Sequence, residues 1–287
     1  MPNHRESPPL GLSVLVIAAA LAFGTSPHLA GDDGGSADDL IVEFRDAVYN
    51  QRLSESDIRT LHADTLSRIG SSGLPDAEAL RAEALAHYYL GRFFQAIPDR
   101  ASMAAYAEDL REGRLLKLRR YYTRRDAAMA AYGDARSAAE AHLERVDGAE
   151  AHRLYGEILG QMLFLGGVDE LFSIGTKAKR EVRTALDMDP DHPKARIQEA
   201  SRLAYSPEGY GGDPDGAREI YRAVLRSGDI DREDEFNIYG GFGMAAFAEG
   251  RDEDAVSWFR AALALYPGNV FAAGMIDFLV SVREDSS

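Results

Sequence analysis

The sequence predicts an all-α fold, a solenoid of stacked helical hairpins closed by a C-terminal capping helix. Three observations predict it. The Val/Ile alternation that marks strands is missing, alanine is abundant, and proline is scarce between residues 100 and 188. Residues 236–269, FNIYGGFGMAAFAEGRDEDAVSWFRAALALYPGN, carry two apolar stripes of helical period. Tyr239, Phe242 and Phe247 mark the first, and Val256, Phe259, Leu263 and Tyr266 the second. Gly250 between them suits a left-handed helix end, Asp252 is placed to cap the second helix, and Pro267 punctuates the hairpin. Such a hairpin cannot bury its own apolar face and must stack on similar neighbours.

The other elements are set by period and breakers. Leu40–Gln51 and Glu55–Ile69 form a first pair, ended by Gly70-Ser71-Ser72-Gly73. Asp76–Ala96 is a long helix, and Pro98-Asp99 turns the chain into a helix over Arg100–Arg111. Arg114–Arg125 and Asp126–Arg145 come next, with Gly133 a weak point in the latter. Ala151–Leu165 and Val168–Met188 pair, the second with a candidate interruption near Gly175. Residues 193–206 and 214–227 flank a longer connection, Pro207–Asp213, and Val270–Val282 is the capping helix. The chain divides into an export segment or N-terminal anchor (1–30), a flexible acidic linker (31–39), divergent hairpins (40–148), and regular repeats with their cap (149–283).

Laid over the tetratricopeptide pattern, Tyr239 takes the first aromatic position and Phe242–Gly243 the Leu–Gly pair. Ala255, Phe259, Ala262 and Pro267 fall at the spacings of the second helix and its turn. Ala246 departs from the pattern, where tyrosine is usual. Together with ALDMDPDHPKA (185–195) and SPEGYGGDPDGA (206–217), this window resembles the exported bacterial tetratricopeptide-repeat proteins, which are periplasmic or envelope-associated. The likeness covers roughly 160–270, with the earlier hairpins matching more weakly. It implies a right-handed α-solenoid and a scaffold or adaptor role.

Leu10–Phe23 is a charge-free apolar run of 14 residues. That length suits a signal-peptide core better than a membrane span, which needs about 20. Export to the periplasm or envelope is therefore expected, with membrane contact only through this segment if it is retained. No cysteine is present, so disulfides, thiolate metal sites and an N-terminal lipidated cysteine are excluded. A net charge of −15 argues against a nucleic-acid partner.

No residue nominates itself for catalysis, metal or cofactor binding. The seven histidines lack metal spacing, no Gly-x-Ser-x-Gly elbow occurs, and His87 reads as a packed core histidine. The expected activity is recognition of a protein or extended peptide on a concave face. A small-ligand-binding accessory subunit of a tripartite (TRAP-type) or related envelope transporter is the second reading, and a self-associating scaffold the third. Segment 111–125, REGRLLKLRRYYTRR, is the one strong reversal of charge. On a helix, Arg114, Lys117, Arg120 and Arg124 would share a face with Tyr121, a candidate binding surface for an acidic peptide, an anionic ligand or lipid headgroups, and acidic neighbours such as Glu108 and Asp109 are available to neutralise them. Tyr88 and its aromatic neighbours suit core packing or a pocket between helices 79–96 and 114–132. Tyr210, in the Gly-rich loop, suits a contact residue or a plug between hairpins.

Overall fold

The computed structural model describes residues 36–166, 168–205 and 211–285. The apolar run Leu10–Phe23, residues 31–35 of the acidic linker, and Pro207–Tyr210 lie outside the described residues. Among the described residues there are twelve α-helices and no strand. They are α1 (Ala37–Asn50), α2 (Glu55–Ser71), α3 (Asp76–Gln95), α4 (Arg100–Arg111), α5 (Arg125–Leu143) and α6 (Ala149–Leu165). The second half comprises α7 (Val168–Met188), α8 (Pro193–Tyr205), α9 (Pro214–Ser227), α10 (Arg232–Ala248), α11 (Asp252–Leu265) and α12 (Val270–Asp285). A 3-10 helix, Leu115–Tyr121, joins α4 to α5.

Local chemistry sets the starts and stops. Capping boxes open α1 (Ser36 with Asp39), α2 (Ser54 with Asp57) and α10 (Asp231 with Asp234). The last residues of the expected acidic linker are therefore a helix cap and first turn, and Asp38 also takes a bidentate ion pair from Arg81 at 3.1 Å. Asp99 caps α4, and Asp213 caps α9 with Pro214 just inside. Gly250 ends α10 at φ +71°, as the sequence predicts. Asp252 does not cap α11: Arg251 holds that position without a side-chain bond, and Asp252 instead pairs with Arg111. α5 runs unbroken through Gly133 and α7 through Gly175.

Consecutive helices pack as pairs, α6 on α7, α8 on α9 and α10 on α11, with α8 also against α10. The C-terminal end does not stop at a free edge. α12 lies along α4, where Met103, Tyr106 and Ala107 share an apolar cluster with Met275, Phe278 and Leu279. Arg100 clasps Asp277 there. The turn between α11 and α12 meets the end of α1. Tyr49 stacks on Tyr266 at 5.1 Å, Asn269 Nδ2 donates to the Tyr49 carbonyl at 3.0 Å, and the Val270 amide donates to Gln51 Oε1 at 2.7 Å. A side chain at Gly268 would overlap the Asn50 carbonyl, and one at Gly274 would overlap Met103, so both contacts need glycine. The helical stack thus returns on itself.

Candidate functional site

The first candidate, the basic segment, is neutralised within the molecule. Gly113 ends α4 at φ +69°, and the next element is a 3-10 helix rather than the expected α-helix over Arg114–Arg125, so Arg114, Lys117 and Arg120, three apart, follow one side while Arg124 lies beyond the element. Arg114 binds Asp109, Glu108 and Glu112. Arg120 pairs with Asp109 at 2.8 Å, and the buried Tyr121 hydroxyl donates to the same carboxylate at 2.9 Å. Burial opposes the charge on Asp109, but hydrogen bonds from Arg114 and Tyr121 outweigh it and hold the carboxyl below its ordinary range. Arg124 donates to the Phe93 carbonyl at 2.8 Å and lies over the Phe93 ring. Arg119 and Arg125 both donate to the Leu165 carbonyl. Lys117 alone of this set is exposed with no side-chain partner among the described residues.

The expected pocket between α3 and the 114–132 region is filled. α3 and α5 pack directly, Gly91 admits the Tyr132 ring, and the Tyr132 hydroxyl bonds Gln95. Tyr88 is fully buried, so it presents nothing to an outside partner. Tyr210 lies outside the described residues. His87 is half-buried rather than enclosed, edge-on to His62 at 5.0 Å.

A different set of polar side chains converges inside the molecule. α6 is buried along most of its length yet carries Arg153, Glu157 and Gln161, each at most 1% exposed. With Glu150 they stand at spacings of three, four and four, one stripe of a helix. α8 adds Lys194, Gln198 and Ser201, and α10 adds Glu233, Asp234 and Asn237. α3 supplies Tyr88, Tyr89 and Arg92, and α1 supplies Arg45 and Tyr49. Each helix thus turns one polar stripe toward a common interior.

The stripes are joined by bonds between distant segments. Glu157 accepts from the Tyr88 hydroxyl at 2.5 Å, from Gln198 Nε2 at 2.9 Å and from Arg153. Glu233 accepts from the hydroxyls of Tyr49 and Tyr89, both at 2.7 Å. Lys194 Nζ sits 2.6 Å from Asp234. Burial pushes the Glu157 carboxyl from 4.5 to about 7 against the pull of Arg153, while Glu150, whose charge burial also opposes, is held well below its ordinary value by Arg153 and His192. Burial likewise raises Asp234, against the pull of Lys194. For Arg92, burial opposes the charge, but Tyr88, Tyr49, Tyr132 and Glu157 outweigh it and keep the guanidinium protonated.

Two features set this interior apart from an ordinary core. Lys194 meets Asp234, and Ser201 meets Gly241 through the Tyr221 hydroxyl, both forty residues apart, so α8 and α10 run side by side in one direction. Gln198 therefore stands at the level of Asn237. Both are fully buried, yet Gln198 Oε1 and both amide atoms of Asn237 have no hydrogen-bond partner. Leaving such atoms unmatched costs about 1–3 kcal/mol each. Second, Arg92, Tyr122 and Tyr205 are half-buried at the border of this polar set. Tyr205 packs against all three apolar clusters.

Sequence reasoning missed this set, although a signal existed. In α6 and α8, charged and amide side chains recur at helical spacing within segments otherwise rich in Ala, Ile and Leu. Among the described residues, no group of three or more His, Asp or Glu side chains is placed to hold a metal ion, and no helix is long and apolar enough to cross a membrane. No family model matches this sequence, and no curated relative matches it.

Proposed function

We propose that this chain is a non-enzymatic binding protein of the cell envelope that holds a small polar molecule inside its helical stack. The observation that carries the reading is the trio of unmatched polar atoms on Gln198 and Asn237, both fully buried on neighbouring helices. An amide with both donor and acceptor free suits a ligand offering the same pair, such as a hydroxyl, amide or carboxyl group. The return of α12 onto α4, and the packing of α3 on α5, favour an enclosed ligand over an extended peptide in an open groove. This is the small-ligand role expected of an accessory subunit of an envelope transport system. The tetratricopeptide resemblance supports a right-handed solenoid of hairpins, and the Leu10–Phe23 segment supports export.

Asn237→Leu separates ligand from water. Replacing an unmatched amide by an apolar side chain of similar size leaves the ligand-free protein as stable as before or more so. Protein purified from its native envelope is denatured, and the released small molecules are identified by mass spectrometry. The expected result is one polar compound in stoichiometric amount from the wild type and none from the variant. Recovery of no compound from either, with a raised melting temperature for the variant, assigns the site to buried water.

A further inference from the structure

The outer surface of α8 and α9 carries a feature that the interior reading does not use. α9 buries Ala217, Tyr221 and Val224 and sets Arg218, Arg222 and Arg226 at intervals of four along its other side. Arg218 is consumed by Asp215 and by Glu249 at 2.6 Å. Arg222 and Arg226 are exposed, and neither has a carboxylate within ion-pair distance among the described residues. Arg196 reaches the same place from α8, and its partner Asp191 is 94% exposed, an ion pair that competes weakly. The three guanidinium groups border a groove of about 500 Å³ whose remaining lining is Ile220, Ala223 and Glu219.

In a chain of net charge −15, this arrangement runs against the overall balance. By contrast, Arg114 and Arg120 of segment 111–125 are spent on carboxylates, and Arg119, Arg124 and Arg125 on carbonyls. We propose that the α8–α9 groove docks an acidic peptide segment of a partner protein. Side chains four apart on a helix stand about 5–6 Å apart. Carboxylates two apart in an extended peptide stand roughly 6–7 Å apart on one face, a close fit to Arg222 and Arg226. Guanidinium groups bind carboxylates in bidentate fashion, and Ile220 with Ala223 offers an apolar floor for the side chain next to the acidic pair. Glu219 and the net charge oppose an extended anionic membrane surface more than a short peptide, because the surface brings many charges against the whole protein and the peptide only two at the groove.

The test uses fluorescence anisotropy with the full chain and two labelled peptides, one with Asp at alternate positions around leucine and one with Asn in their place. Unlabelled phosphatidylglycerol vesicles serve as competitor. The acidic peptide is expected to bind at low salt, to weaken as salt rises, and to bind at least tenfold less tightly to the Arg222→Glu/Arg226→Glu variant. The Asn peptide is expected not to bind. Both positions are exposed, so the variant keeps the wild-type melting curve, and Arg222→Gln/Arg226→Gln supplies a second variant if it does not. No binding at low salt, equal binding by wild type and both variants, or displacement of the peptide by vesicles overturns the assignment. Loss of the interior ligand in Asn237→Leu leaves this result unchanged, because the two sites share no residue.

Discussion

Segment 111–125 and the interior face shared by α1, α3, α6, α8 and α10 both gather arginine, but they use it in opposite ways. Along the segment, the cations lie close in sequence, and all but the exposed Lys117 are settled by a carboxylate or by a carbonyl at a helix end: Arg111 on Asp252, Arg114 and Arg120 on Asp109, Arg124 on Phe93, Arg119 and Arg125 on Leu165. In the interior, Arg153 and Lys194 come from different helices and are matched to carboxylates that are themselves buried. A surface cation forgoes little water in pairing, whereas a buried one depends on its partner to remain charged. Dense charge in sequence is thus a poor guide to charge that matters to the structure.

Arg153→Met gives the largest expected effect and tests the interior half of this comparison. Arg153 is 0% exposed between Glu150 and Glu157, and removing it leaves two carboxylates without their cation. Loss of one partner from a buried pair costs about 3–5 kcal/mol. Urea denaturation should report a loss of that order. A loss within ordinary surface scatter would show that the interior charges are not mutually dependent.

Glu157→Gln sharpens the same point through pH. The folded carboxyl at about 7 binds its proton more tightly than the unfolded one near 4.5, so between these values the folded state holds more protons. Stability contributed by protonated Glu157 is therefore present below about 4.5 and lost as pH rises through about 7. The difference corresponds to about 3 kcal/mol. His62, lowered by burial to about 4, runs the other way over an overlapping range, which is why the variant must be compared with the wild type at each pH. The expected outcome is a wild-type melting temperature that falls relative to Glu157→Gln between pH 4.5 and 7. Parallel curves would place the Glu157 carboxyl at an ordinary value.

The same contrast between local and long-range contacts separates what is legible in the sequence from what is not. α4 and α7 begin and end where period and breakers place them, because Asp99 caps one and the apolar spacing of Ala178, Val182 and Ala185 runs through the other. The hairpin from α10 to α11 is legible for the same reason: Gly243 admits Phe259, and Phe242 stacks on Trp258 at 4.5 Å. The 3-10 helix is not legible. Leu115–Leu118 has good helix formers, and only long-range bonds from Arg119 and Arg125 to Leu165 and from Arg124 to Phe93 hold the tighter form. Closure of the stack is hidden too, since Gly268 and Gly274 reveal their need for space only against Asn50 and Met103. The polar interior is assembled from two to four residues on each of five helices, and the helical spacing visible in α6 and α8 does not tell which other helices complete it.

Lys117→Glu gives the smallest expected effect and tests the surface half. Lys117 is exposed, and its ammonium bonds no described residue. Reversing its charge should move stability by no more than about 0.5 kcal/mol, the ordinary range for surface substitutions. Arg114→Glu, by contrast, brings a carboxylate against Asp109, Glu108 and Glu112 and should lower the melting temperature clearly. If the two reversals prove equally mild, the pairs around Asp109 contribute nothing to the fold, and the basic segment returns to consideration as a surface free to meet a partner. If Arg114→Glu alone is damaging, its arginines belong to the architecture, and the unpaired cations of the α8–α9 groove are the better place to look for recognition.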